Sequence, residues 1–169
     1  MTKALVVIDI QNDYFSGGHF PLWNAEATLA AAERAIGAAR AQGIPVIVVQ
    51  HIAAGDRAPF FVRGTDGVAI HPAIAAAAPD APIVIKQHAD AFRDTTLAAT
   101  LDQLGARELI VCGMMTQNCV THTAISKTAE AYEITVLGDV CTTVSEPIHL
   151  IALSALSPRV RVTTTAEAL

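Results

Sequence analysis

The stretch Ala4-Leu5-Val6-Val7-Ile8-Asp9 is a continuously apolar, largely β-branched run that ends on a carboxylate. An apolar run without polar alternation fits a strand covered on both faces, as in a parallel sheet. Five further runs follow at fairly regular intervals: Pro45–Gln50, Pro82–Lys86, Glu108–Cys112, Glu133–Leu137 and Val160–Thr164. Between them lie segments, mostly Ala-rich, with helical spacing, at about Asn24–Gln42, Thr95–Leu104, Asn118–Ala131 and Glu146–Leu156. Gly43 and Gly105 stand where a helix C-cap is wanted. Strands alternating with helices predict an α/β fold: a three-layer αβα sandwich around a six-stranded parallel sheet.

Ile52–Ala81 breaks the alternation. It has no sustained period, holds Gly55, Gly64, Gly67, Pro59, Pro72 and Pro79, and allows at most a short helical turn near Ile70–Ala78. Connections this long inside a compact domain are usually functional loops. With strands on both sides, it reads as an excursion at the sheet edge, so residues 1–169 are expected to form a single domain.

Composition narrows the function classes. Apolar residues make up 52% of the 169 and charged residues only 16%, which excludes a disordered chain. No apolar run reaches the length of a transmembrane helix, and the first residues lack the pattern of a signal peptide. A net charge of -5 argues against a nucleic-acid surface. Three cysteines without an export signal are expected as reduced thiols in a cytoplasmic protein. No membrane partner is expected.

In open α/β sheets, ligands gather beyond the carboxyl ends of the strands. The residues there are Asp9 to Asp13, then Gln50 and His51, then Lys86 to His88, then Gly113 to Cys119. Asp9 closes an apolar strand, where an unpaired carboxylate is costly to bury. Lys86 is one of only three lysines and also follows an apolar run. Cys119 opens a helix, where N–H groups and the dipole favour a thiolate. A thiol, a carboxylate that takes its proton and a lysine that holds both suffice for covalent catalysis. Taken singly, each has a plainer reading. Asp9 can cap a turn, Lys86 can be a solvated strand end, and Cys119 can be a small buried hydrophobe like Cys112 and Cys141. Their arrival at one edge of the sheet separates the two readings.

Around that edge, Phe15, Trp23, Phe60, Phe61 and Phe92 fall in loops at the expected mouth. They read either as loop packing or as the apolar wall of a pocket for a small planar amide. Gln11 reads as a substrate contact; His19, His88 and His122 read as loop or rim residues.

Asp9-Ile10-Gln11-Asn12-Asp13, Lys86 with Phe92 six residues on, and Gly113-Met114-Met115-Thr116-Gln117-Asn118-Cys119-Val120-Thr121-His122-Thr123-Ala124 together resemble the isochorismatase-like cysteine hydrolases. That superfamily includes nicotinamidases, N-carbamoylsarcosine amidohydrolases and ureidoacrylate-type amidohydrolases. The resemblance runs from about residue 3 to 164. It implies a catalytic triad of Asp9, Lys86 and Cys119, with Cys119 attacking a carbonyl to form a thioester. It implies an oxyanion hole from the backbone N–H groups of Met115 and Cys119, and a cis peptide between Met114 and Met115. The implied function is hydrolysis of a small-molecule amide, ureido or carbamoyl bond, by a homo-oligomer, dimer or larger. Two alternatives stand beside it. One is vinyl-ether hydrolysis of the isochorismatase type; the other is a non-catalytic binding or redox-sensing protein with Cys141 as partner thiol. The chain departs from the resemblance in two ways. Nicotinamidases carry a metal on an Asp and closely spaced histidines after the second strand. Here that region reads His51-Ile52-Ala53-Ala54-Gly55-Asp56, with His71 far downstream, so no metal or other cofactor is expected and nicotinamidase activity is weakened. The chain is also short for the superfamily, so no lid or terminal extension is expected.

Overall fold

The structure, a computed structural model, describes residues 2–55 and 57–169. Six strands form one sheet: β1 Thr2–Ile8, β2 Val46–His51, β3 Ile83–Lys86, β4 Ala106–Met114, β5 Glu133–Thr142 and β6 Arg161–Thr163. Their order is β3-β2-β1-β4-β5-β6, and every pairing is parallel. The first run lies at the middle of this sheet, Leu5 pairing with Val46 on one side and Ile110 on the other. Ala4 to Ile8 have no exposed surface, which is the physical reason that stretch is apolar without alternation.

The helices are α1 Ala25–Ala41, α2 Pro72–Ala77, α3 Leu97–Gln103, α4 Thr121–Ala124, α5 Glu146–Leu156 and α6 Thr165–Ala168. From β1 the chain steps outward to β2 and β3, then returns past β1 to β4 and continues to β5 and β6. Right-handed crossovers therefore place α1 and α2 on one face and α3, α4 and α5 on the other, giving the three layers expected. In α1 the buried face is Thr28, Ala31, Ala32, Ala35, Ile36 and Ala39, a helical stripe of small side chains against the sheet. Gly43 ends α1 in the left-handed region, φ 69°, donating to Arg40 O while Ile44 donates to Ala39 O. That pair of bonds is the Schellman ending.

Three expectations need correction. The segment Asn118–Ala131 is not one helix. It is a π-helical turn, Thr116–Val120, then α4, then a break and a 3-10 turn at Thr128–Ala131. Its threonines bond elsewhere: Thr121 Oγ1 donates to Thr116 O at 2.6 Å, and Thr123 Oγ1 accepts the Ala91 N–H at 2.9 Å. Side chains with such options compete with the helical ladder. Second, β3 is an edge strand with one face open, leaving Ile83 and Ile85 about half exposed. Third, β4 and β5 run past their expected ends, to Met114 and Thr142. The excursion after β2 holds a 3-10 turn at Asp66–Val68 and α2, as its breakers suggested, and it touches β1's outgoing loop through a Gln11–Ile70 bridge.

Gly113 permits the longer β4. Its φ is 122°, and a Cβ there would lie 2.0 Å from Ile8 O. The β4–β5 register also shifts between Val111 and Gly113. A side chain at this position would separate β4 from β1 where both strands deliver their last residues. Gly113→Ala is expected to cost about 3 kcal/mol or more, from the strained φ and the collision together. Urea unfolding measures this directly, and an unchanged midpoint would show that the backbone relaxes freely there.

Candidate active site

The strand order reverses direction between β1 and β4, and a parallel sheet opens a crevice at that switch point. Asp9 follows β1 directly with φ 52°, a left-handed conformation that aspartate tolerates better than most residues. Cys119 lies in the π-helical turn after β4, whose first carbonyl neighbour, Met115 O, accepts from both Asn118 and Val120 N–H. The peptide joining Met114 to Met115 is cis. Later elements fix the turn from outside. Thr116 Oγ1 lies 2.9 Å from His149 Nδ1 of α5, and Thr143 Oγ1 donates to Gln117 Oε1 at 2.5 Å. Lys86 is the last residue of β3, in register with His51 of β2, and its long side chain reaches back to β1.

The three side chains meet. Lys86 Nζ lies 2.8 Å from Asp9 Oδ2 and 3.2 Å from Cys119 Sγ, and all three residues are buried. The ammonium has two further neighbours, His51 Nδ1 at 2.9 Å and the His88 carbonyl at 3.1 Å. An ammonium has three N–H groups. His51, His88 O and Cys119 take bonds from it, and the Asp9 carboxylate pairs with it at the shortest distance of the four. Among the described residues, Asp9 Oδ1 has no hydrogen-bond partner. The carboxylate therefore keeps its acceptor capacity free beside the thiol.

The surroundings of the thiol work against a resting thiolate. Burial, with the Asp9 charge behind it, pushes the Cys119 thiol up to about 12, and Lys86 only partly opposes this. The helix-start argument made from the sequence is thus outweighed by desolvation, and a thiolate has to be produced by proton transfer. Lys86 is disfavoured as a cation by burial, but Asp9 and Cys119 overcome that and raise it above the ordinary lysine value. His51 is held below the ordinary histidine value, first by burial and then by Lys86. Being neutral, it accepts the Lys86 N–H at Nδ1.

The expected substrate contacts divide. Gln11 is not available to a substrate: it is buried, its Nε2 donates to His51 O at 2.9 Å and Val68 O at 2.7 Å, and its Oε1 accepts the His51 N–H at 2.8 Å. It locks β2's end to the excursion. Phe60 and Phe61 join Tyr14 and Phe20 in an aromatic cluster, and the Phe61 ring lies 5.8 Å from His51. Phe15 packs on His71 at 4.5 Å, and Phe92 stacks on Tyr132 at 5.8 Å. Those two rings thus have packing partners of their own. Of the other histidines, His88 pairs with Asp94 at 3.2 Å, and His122 contacts Asn118 O on the surface.

Three residues gain roles that the sequence reading did not assign: His51, Tyr14 and Asp13. Tyr14 is buried, and desolvation together with the negative charge of Asp9 holds it as a neutral phenol. Asp13 accepts from Phe61 N–H at 2.7 Å and from His19 through both backbone and ring. Burial raises its carboxyl, but these bonds outweigh that and leave it below the ordinary value. A Cβ at Gly67 would meet the Asp13 carboxylate at 2.1 Å, so that loop closes only over glycine. The available signal was position: Asp13 and Tyr14 follow β1, and His51 ends the strand beside Lys86.

Donor atoms of Asp9, His51 and Cys119 lie within 4.8 Å of one another. The arrangement does not fit a metal ion, because the Lys86 ammonium already contacts all three donors and would repel a second cation. Asp56, the carboxylate considered from the sequence, lies outside the described residues. No described helix is long and apolar enough to cross a membrane.

A parallel α/β sheet with a buried thiol, carboxylate and ammonium at its switch point has the frame of a hydrolase. Comparison with known proteins gives the family. Residues 3–168 match the isochorismatase domain. The uncharacterized isochorismatase family protein YddQ of Bacillus subtilis is 38% identical over 88% of this chain and 82% of its own length. A crystal structure described as an isochorismatase hydrolase from Oleispira antarctica superposes with a TM-score of 0.89 at 37% identity, covering 99% of this chain and 95% of that one. The nicotinamidase/pyrazinamidase of Mycobacterium tuberculosis is 28% identical over 91% of this chain and 94% of its own length. The chain belongs to the isochorismatase family.

Burial also sets how stability depends on pH. His51, His71 and His149 are each held below the ordinary histidine value of 6.5, with burial the leading cause. Unfolded, these rings take up protons that the folded protein refuses, so stability rises with pH just below 6.5 and is lost on acidification. Calorimetry at about pH 7.5 and about pH 5.5 is expected to show a lower Tm at the acid value. A Tm that holds or rises would contradict it.

Proposed function

We propose that this protein is a cysteine hydrolase of small-molecule carbon–nitrogen bonds, acting on an amide, ureido or carbamoyl group through a thioester. The observation that carries the reading is the single ammonium in contact with both a buried thiol and a buried carboxylate. Cys119 Sγ attacks the substrate carbonyl while its proton passes to Asp9. The tetrahedral oxyanion is received by the backbone N–H groups of Met115 and Cys119, a contribution typically worth about 3 kcal/mol per donor. Collapse breaks the C–N bond, and Asp9 returns the proton to the leaving nitrogen. Asp9 then takes a proton from water, the hydroxide attacks the thioester, and the expelled sulfur regains its proton as the acid leaves. Lys86 stays protonated throughout and offsets the negative charge wherever it resides.

The amidase activity named for the mycobacterial relative supports the C–N bond as target. Vinyl-ether hydrolysis needs an acid but no thiol, so the placement of Cys119 counts against it. We place the protein in the reducing cytoplasm, a reading supported by three free cysteines. We also take it to be a homo-oligomer, supported by the exposed Leu150 and Ile151 of α5 and Ile83 and Ile85 of β3.

A panel of amides, ureides and carbamoyl compounds tests the mechanism. Cys119→Ala is expected to lose hydrolysis by about a thousandfold or more, and Asp9→Asn by a comparable factor, as groups that act as one unit do. Brief denaturing quench of the wild type should trap the acyl adduct on Cys119 by mass. Undiminished turnover in Cys119→Ala would overturn the covalent route, and full turnover of isochorismate by that variant would favour the vinyl-ether reading.

A further inference from the structure

Lys86 has three N–H groups and four close neighbours, so what decides its orientation decides what remains for the thiol and the carboxylate. We propose that His51 is a positioning residue for this chemistry: as a neutral acceptor at Nδ1 it holds one Lys86 N–H, leaving another on Cys119 and leaving Asp9 free to take a proton. The inference rests on Cys119 being the nucleophile of the proposed hydrolase, and it adds a group that does not touch the reacting atoms.

The geometry gives His51 this role in three ways. Its β2 position is in register with Lys86 of β3, so the two side chains rise together at the strand ends. Its backbone is clamped on both sides by Gln11, which accepts its N–H and donates to its C=O. Its ring packs toward Phe61, 5.8 Å away, which limits its rotation. The residue type matters as much as the place. A carboxylate here would compete with Asp9 for the ammonium and put a second negative charge beside the thiol. A neutral imidazole accepts without doing either. With Nδ1 accepting, the ring proton belongs on Nε2.

Protonation would end this arrangement. The titratable groups facing His51 are Lys86 from β3, His88 from the loop beyond it, Asp9 from β1 and Cys119 from the turn after β4. Burial, Lys86 and His88 oppose a charge on the ring, and Asp9 favours one. A protonated His51 loses its acceptor and sets a second cation 2.9 Å from Lys86 Nζ. The reactivity of Cys119 therefore falls on the acid side as His51 takes up its proton, below the ordinary histidine range.

The experiment follows alkylation of Cys119 by iodoacetamide between about pH 5 and pH 8, with peptide mapping and with Cys112 and Cys141 as internal references. Wild type is compared with His51→Ala and His51→Asn. Asn Oδ1 stands the same number of bonds from the backbone as His Nδ1, accepts a hydrogen bond and does not titrate. His51→Ala is expected to slow Cys119 about tenfold at neutral pH, the loss of one charge-assisted hydrogen bond. His51→Asn should recover most of that loss and move the acid fall at least about one pH unit lower. Nitrogen-15 NMR of histidine-labelled protein should find His51 neutral at pH 7.5 with its proton on Nε2. An acid fall in His51→Asn that coincides with wild type, or a proton on Nδ1, overturns this role and leaves the hydrolase reading standing. Cys119 no faster than Cys112 or Cys141 at any pH in the wild type overturns both.

Discussion

Everything at the carboxyl edge of this sheet depends on keeping one ammonium ion in a nearly dry place. Lys86 is 1% exposed, and an unpaired charge at such burial would be strongly destabilising. The fold meets that demand with a carboxylate from the central strand and neutral acceptors from its neighbours, the His51 ring and the His88 carbonyl. Replacing Lys86 would leave Asp9 buried with neither an ion-pair partner nor a hydrogen bond. The pair is therefore a constraint on folding as well as a chemical device. Its position follows from topology, since the order β3-β2-β1-β4 sets the carboxyl ends of these four strands side by side around the switch point between β1 and β4.

The loops have a second organising charge. Asp13 is buried beneath the excursion after β2, and its oxygens gather the backbone of Phe61 and both donors of His19. Gln11 performs the neutral version of the same task, bonding to backbone at His51 and Val68. Two polar residues after β1, Gln11 and Asp13, thus tie down a long irregular segment that has little periodic structure of its own. The aromatic cluster of Tyr14, Phe20, Phe60 and Phe61 packs around this tether. Loop order here comes from buried acceptors, with apolar contact added to them.

Much of this was legible in the sequence, and the reasons differ by residue. The apolar runs exposed the sheet because strands buried on both faces cannot alternate, and Gly43 announced where helix α1 stops. Asp9, Lys86 and Cys119 stood out because each follows an apolar run or opens a turn, where polar chemistry is unexpected. The helix expected over Asn118–Ala131 failed because Thr121 turns its hydroxyl back to the Thr116 carbonyl and Thr123 meets Ala91 across the fold, which propensity does not register. Gln11 was misread for a related reason. An amide at a strand end looks the same in sequence whether it faces a ligand or closes a loop. His51 passed without a role because its partner, Lys86, is 35 residues away and becomes adjacent only through strand register. The thiolate expected from the helix start was overridden by burial, a property of the packed interior.

That last correction changes what Lys86 does. In a site with a thiolate at rest, the lysine would act by lowering the thiol's affinity for its proton. Here burial and Asp9 push the thiol up to about 12 against Lys86, which favours the proton on sulfur before a carbonyl arrives. When it moves, negative charge leaves the Asp9 carboxylate and appears on sulfur, and Nζ lies 2.8 Å from one and 3.2 Å from the other. The ammonium is paired before and after, so the transfer shifts a charge between two nearby sites without creating a new one in a medium of low dielectric constant. A thiol that ionises by handing its proton to a neighbouring carboxylate reacts with any electrophile that reaches it, a substrate carbonyl or an alkylating reagent, and stands as a thiol in between.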